Sequence, residues 1–356
     1  MGALRSLVLQ PLCVVLALLP AEPVRAQFEQ PSPSSSNASA SSPRSAADVS
    51  PARPAPSPSV TIDAERGVIP DDPSVFETGF TLQVAGNATG VVASFPGPDN
   101  WEDQKAELVH QEIEPENAML RFVDLDGAKL AQVTIPRMAA GDTAKVLLRY
   151  QVDRAPITPP EQPHALTLPE SRTLAPRLRK FLQPSPFIES RDLAIRTAAE
   201  ALSTEDQPGW EQVRQFYDYV HHNVTYENGP MRGAAAALKE GRGDCEEMTT
   251  LFVALCRASS IPARTVWVPS HCYPEFLMKT ADGEDRWVAV EMTGDFPFGV
   301  SPEKRPILQK GDNFRVPGSR TPEHYVKQNL TIRDYKGTAP PVVTWFPVPG
   351  KEPPRE

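Results

Sequence analysis

Polar and apolar residues change their rhythm twice along this chain, near position 170 and again after 262. Between Val60 and about Val152 they alternate in short runs: TGFTLQVAG, GVVASFPG, AMLRFVDLDG, KLAQVTIPR and KVLLRYQV, each bounded by Gly, Asp, Asn or Pro. A period of two turns one face of a strand toward a core, and this spacing of turn residues predicts a small antiparallel β-sandwich over 61–155. From Arg172 the apolar positions recur at i, i+3 and i+4 in LAPRLRKFLQPS, RDLAIRTAAEALS and GWEQVRQFYDYVHHNV, which predicts helices. A further helix is predicted after GRGDC. Asp244 suits its N-cap, Glu246 and Glu247 suit its first turn, and Met248, Leu251, Phe252, Leu255 and Cys256 share one face. After Ile261-Pro262 the pattern is strand-like again, in RTVWVPSHCYPEFLMKT and RWVAVEMTG, with Asp282-Gly283 as the reversal of a hairpin. Helices followed by antiparallel strands make an α+β domain, expected over 165–345. The polar stretch 301–337 is expected to complete that sheet or to form a flap over a cleft.

Composition changes the picture mainly at the ends. The 356 residues leave room for two domains of ordinary size. A positively charged start, an apolar run from Leu7 to Leu19 and the small residues around Val24-Arg25-Ala26 predict a signal peptide over 1–26. That run is short and broken by Gln10 and Pro11, so it is not expected to span a bilayer, and Cys13 leaves with it. Residues 27–60, dominated by Ser, Pro and Ala, lack the apolar surface to offset ordering and predict a disordered linker. Residues 346–356 predict a flexible tail. The mature protein is therefore expected to be secreted or periplasmic, without a membrane span. Its net charge, −9 for the whole chain, comes without a basic run, which argues against nucleic acid or an anionic membrane as the main partner.

Candidate chemistry centres on the cysteines. Cys245, Cys256 and Cys272 remain after export, and an odd number leaves at least one thiol unpaired. A Cys256–Cys272 disulfide is open at this stage, and Cys245 is the one left over. In a helix's first turn Cys245 feels the positive end of the dipole, which favours a thiolate, although Asp244, Glu246 and Glu247 oppose this. A buried, inert thiol is the alternative. A thiol nucleophile needs a base and a group that orients the base. His271 in PSHCYPEF and Glu291 in WVAVEMTG are the candidates; they face each other if the hairpin reverses at Ala281, whereas a strict two-residue turn at Asp282-Gly283 would set Gly294 opposite His271. A longer loop or a bulge near Pro274 is thus expected. Asp295 is the alternative third member. Tyr226 is a candidate oxyanion donor and Trp210 a weaker one, and His221 and His222 read as surface histidines. Zinc ligation by Cys245, His271 and Cys272 lacks the paired spacing of structural sites, and no calcium-loop signature occurs. Neither a metal nor a cofactor is expected. Asn37, Asn87, Asn223 and Asn329 head short glycosylation patterns that decide nothing alone.

Taken together, GRGDCEEMTTLFVALCRASSIPARTVWV, the strand with HCYPEF and the strand WVAVEMT resemble the core motif of the transglutaminase-like superfamily, over about Gln212 to Thr293. The resemblance implies a papain-like fold with Cys245 as nucleophile, His271 as base and Glu291 in the orienting place. Two departures stand out: Glu291 where the family usually has Asp, and Cys-Tyr after His271 where it often has Ala-Trp. The chemistry implied is acyl transfer from an amide or peptide through a thioester, by hydrolysis or, alternatively, by protein crosslinking. A non-catalytic module that binds peptide or envelope material is the rival outside this class.

Overall fold

The computed structural model describes residues 75–204 and 207–346. The expected signal peptide, the linker and the tail beyond residue 346 lie outside the described residues. Six strands come first: β1 (Val75–Gln83), β2 (Asn87–Gly97), β3 (Gln104–Glu114), β4 (Met119–Asp124), β5 (Lys129–Met138) and β6 (Thr143–Arg154). They follow the alternating stretches of the sequence, and β6 shows why: Ala144, Val146, Leu148, Tyr150 and Val152 point inward while the residues between them are more exposed. Five helices follow with short strands between them: α1 (Pro176–Arg179), α2 (Leu193–Ala201), α3 (Gly209–Asn223), β7 (Thr225–Tyr226), α4 (Ala234–Glu240), β8 (Arg242–Gly243) and α5 (Cys245–Ala258). The chain then runs through β9 (Ala263–Val268), β10 (His271–Lys279), β11 (Asp285–Ala289), β12 (Gln309–Lys310), β13 (Asn329–Lys336) and β14 (Val342–Phe346). No helix among the described residues is long and apolar enough to cross a membrane.

Two antiparallel four-stranded sheets, ordered β14-β1-β6-β3 and β13-β2-β5-β4, share one core built on Phe80, Leu82, Phe95, Val133, Ile135 and Leu148. This differs from the expected division of the chain, in which everything from 165 to 345 forms one domain. β13 and β14 return to the first two sheets: β14 pairs with β1 from Gly79↔Phe346 to Gln83↔Val342, and β13 pairs with β2. The reason is burial. Val343 and Trp345 alternate with more exposed neighbours, so β14 has one apolar face, and pairing along the edge of β1 turns that face into the core of these sheets.

The third four-stranded sheet, β11-β10-β9-β12, packs against α5. That helix is buried on nearly every side. Leu251, Phe252, Leu255 and Cys256 meet Val213, Phe216 and Val220 of α3 in one cluster that also takes in Phe276 and Met278 of β10. A helix apolar over most of its circumference belongs in the centre of a domain. The stretch 301–337 does supply a strand to this sheet, as the sequence suggests, but only the two residues of β12.

A buried polar network joins the first sheets to this one. Arg154 at the end of β6 donates to the Tyr273 hydroxyl at 2.5 Å and to the Arg305 carbonyl. Lys310 of β12 reaches both Asp103 and Glu275 at 2.8 Å, and Glu275 is also paired with Arg264 at 2.7 Å. Burial pushes the Glu275 carboxyl up, but the charges of Lys310 and Arg264 outweigh it and bring the group down to about 2. A depressed carboxyl contributes stability above its unfolded range, and loses it as pH falls toward 2. Glu275→Gln takes the carboxylate from Arg264 and leaves Lys310 with Asp103 alone, and is expected to lower stability by about 3 kcal/mol near neutral pH. Urea unfolding checks this: the midpoint drops while the slope is unchanged.

Candidate active site

The start of α5 is fixed by a capping box. Glu246 N donates to the Asp244 carboxylate at 2.9 Å, and Glu247 returns a carboxylate oxygen to the Asp244 N–H at 3.0 Å. Cys245 is therefore held at the first helical position, and it is 8% exposed. Gly243 permits the approach: a Cβ there would lie 2.4 Å from the Cβ of Glu247.

His271 opens β10, directly after a tight turn from β9 in which Ser270 takes φ +60°. The β10–β11 ladder pairs Lys279 with Asp285 and Glu275 with Ala289. Continued upward, this register sets Thr293 opposite His271 and puts Glu291 on the diagonal. The loop is longer than a two-residue turn, with Gly283 N bonded to the Thr280 carbonyl at 2.9 Å, but it is not centred where a direct His271–Glu291 pair would need it. Diagonal neighbours are about 7–8 Å apart at Cα, within reach of long side chains. Glutamate spans that gap: both its carboxylate oxygens lie near His271 Nε2, at 3.1 and 3.2 Å.

Glu291 is 3% exposed and well supplied with donors. Thr293 gives its N–H at 3.0 Å and its hydroxyl at 2.8 Å, and Ser301 Oγ lies at 3.4 Å. His221 on α3 contacts the Glu291 carbonyl at 3.3 Å, so one of the histidines read as surface groups braces this strand, while His222 is exposed. Burial alone would raise the Glu291 carboxyl; the hydrogen bond and charge of His271 with the Thr293 donors hold it below its ordinary range.

With Nε2 turned to Glu291, the other ring nitrogen of His271 is left for Cys245, which lines the same cavity. Burial works against a charged imidazole here, yet the bonds to Cys245 and Glu291 raise it to about 10. For Cys245 the balance runs the other way. The neighbouring Cys272 thiol lowers its pKa most, burial opposes, and His271 lowers it again by hydrogen bond and charge, to about 5 in all despite Asp244. Cys272 itself is 1% exposed, pushed well up by burial, and its sulfur lies 3.6 Å from the Cys245 carbonyl. The arrangement can hold a thiolate beside an imidazolium steadied by a carboxylate.

The other candidates lie elsewhere. Tyr226 is 53% exposed, donates to Asn228 at 3.3 Å and is not among the residues around the cavity shared by Cys245 and His271. Trp210 is core, 4.7 Å from the Phe298 ring. Asp295 lines a separate hollow with His221 and His222. Cys256 and Cys272 are both free thiols, so the disulfide left open above does not form. Cys272 sits against Cys245 at the start of α5, and eleven residues of helix carry Cys256 about 16 Å further along it.

The cavity beside Cys245 and His271 measures about 470 Å³. His324 and Tyr325 contribute to it from the segment before β13, and Trp345 from β14. The sequence reading missed all three, since TPEHYVKQ carries no spacing that marks a site. This segment packs on β9 beside the cavity, with the Tyr325 ring 4.8 Å from Trp267.

Residues 195–292 match the family described as the Transglutaminase-like superfamily. No curated protein matches the chain. Among solved structures, a candidate cysteine protease from Cytophaga hutchinsonii is 16% identical, with 76% of this chain and 99% of that chain covered and a TM-score of 0.48. A candidate protease from Parabacteroides distasonis is 16% identical over 64% of this chain and 48% of that chain, with a TM-score of 0.26. The periplasmic domain of TgpA from Pseudomonas aeruginosa, bound to ethylmercury, is 15% identical over 67% of this chain and 88% of that chain, with a TM-score of 0.29. Over residues 195–292, then, this chain carries a transglutaminase-like superfamily core.

Proposed function

We propose that this chain is an exported cysteine enzyme that transfers the acyl group of an amide or peptide bond to water through a thioester. Cys245 is the nucleophile, His271 the acid and base, and Glu291 the positioning carboxylate. The observation that carries this reading is His271, whose Nε2 lies 3.1 Å from the Glu291 carboxylate and which shares one cavity with Cys245. The thiolate attacks the carbonyl carbon. The bond to nitrogen breaks as His271 passes its proton to the departing amine, leaving an acyl–sulfur bond on Cys245. Water then attacks the thioester while neutral His271 accepts its proton, and the acid leaves. The charged oxygen of each tetrahedral intermediate is assigned to the backbone N–H of Cys245, because a first-position helical N–H has no partner within the helix. This replaces Tyr226 in that role.

The matched superfamily core supports a cysteine-type enzyme; the peptide substrate and the hydrolytic outcome are our own reading. The test is an acid-quenched reaction with a glutamine- and lysine-containing peptide pool plus a labelled primary amine, followed by intact mass. An acyl adduct on Cys245, absent from Cys245→Ala, with free acid as the main product, is the expected result. Ammonia release with amine incorporation would instead assign a crosslinking transglutaminase. Absence of any adduct or turnover would favour a binding module.

A further inference from the structure

The cavity next to Cys245 and His271 has a wall that the acyl-transfer chemistry does not use. Phe187 occupies the third position of the tight turn 185–188, closed by Ile188 N to the Ser185 carbonyl at 2.9 Å and Ser185 N to the Ile188 carbonyl at 3.2 Å. Pro186 precedes it, and Phe187 takes φ +66°. Glycine is the ordinary occupant of that position in such a turn, and a bulky residue there is strained.

Strain of this kind persists only where the surroundings fix it. Here the Phe187 carbonyl accepts from Ala234 N at 2.9 Å, and Ser185 Oγ is tied to Asp312 at 2.6 Å and to Arg257 at 3.0 Å. Yet the ring held this way is not used as core. It is 40% exposed and meets His324 edge-on at 5.5 Å.

His324 is the second anomaly. It is 7% exposed, and neither ring nitrogen makes a hydrogen bond of good geometry, the Asp312 backbone being its one weak polar neighbour. On its other side the ring stands edge-on to Trp267 at 5.0 Å. Burial first, with Arg257 and Lys327 adding to it against Asp312, brings His324 down to about 4, so the ring is neutral at ordinary pH. A buried polar ring so poorly paired calls for an explanation, and a strained, exposed aromatic beside it calls for the same one.

We propose that this cavity receives a large apolar or aromatic side chain of the peptide substrate, adjacent to the bond under attack, and that Phe187 and His324 set the preference. The inference rests on the acyl-transfer reading above and names its substrate class. About 470 Å³ accommodates a phenyl or indole group, and a lining that includes Phe187, Trp267, His324 and Tyr325 suits an aromatic occupant.

The test compares alkylation of Cys245 in the whole chain by iodoacetamide and by N-(2-phenylethyl)iodoacetamide, read by mass spectrometry at neutral pH. The phenylethyl reagent is expected to react about ten- to a hundredfold faster, the factor that burial of a phenyl group is worth. Phe187→Gly, which removes the wall and suits the backbone, is expected to bring the ratio of the two rates to within about threefold of unity, whereas Phe187→Tyr keeps it high. Fast alkylation of the parent protein with a ratio near one overturns the side-chain site and leaves the nucleophile reading standing. Slow alkylation by both reagents overturns the nucleophile reading, and this inference with it.

Discussion

Cys245→Ser is expected to reduce amide cleavage by at least about four orders of magnitude, with no acyl adduct on the protein and a native fold. The exchange changes one atom at a site that is 8% exposed, so stability should move by no more than about 1 kcal/mol. The chemistry changes far more. A thiol brought down to about 5 is ionised at neutral pH, while a serine hydroxyl in the same place stays protonated, and His271 loses the part of its rise that comes from Cys245. The second sulfur nearby cannot substitute, because Cys272 is buried and its pKa is pushed up. Initial rates on the best peptide of the pool, with a thermal melt as control, check this; a residual rate within tenfold of the parent would remove Cys245 from the mechanism.

Glu291→Gln is expected to lower kcat by about two to four orders of magnitude while leaving KM within about threefold. The carboxylate is 3% exposed and lies behind His271, so it has no route to substrate. What it supplies is charge. Without it the imidazolium loses its partner at 3.1 Å, His271 falls toward its ordinary range, and the Cys245 thiol rises in turn as its cationic neighbour becomes neutral. Glu291→Asp is expected to recover little, since a side chain one methylene shorter does not span the diagonal register. Equal losses in kcat and in substrate binding would indicate a structural role instead.

Much of this site could be read from local pattern. The Asp244 cap, the Cys245 position and the apolar face of α5 follow from helical spacing and first-turn chemistry, and the structure has each of them. Pairing between strands was less accessible. The hairpin register depends on how many residues the 280–284 loop absorbs, which no turn dipeptide fixes, so His271 and Glu291 could be nominated together without their diagonal relation being visible. Contacts distant in sequence were not legible at all. β14 lies more than 250 residues from β1, and its VVTWF reads equally well as the last strand of either sheet system. His324 and Phe187 meet only because the turn 185–188 and the segment before β13 are brought to the same cavity. Tyr226 lies near Cys245 through its backbone, which pairs with Gly243, while its side chain is mostly exposed, a distinction that local pattern does not carry.

The thiolate–imidazolium pair itself is tested most directly by the pH dependence of Cys245 alkylation with iodoacetamide, measured on the intact protein from pH 4 to 11. A raised histidine and a lowered thiol predict a rate that climbs through about pH 5, stays level across neutrality and changes again only near pH 10. A single rise centred near 8.5, the behaviour of an isolated thiol, would contradict the account.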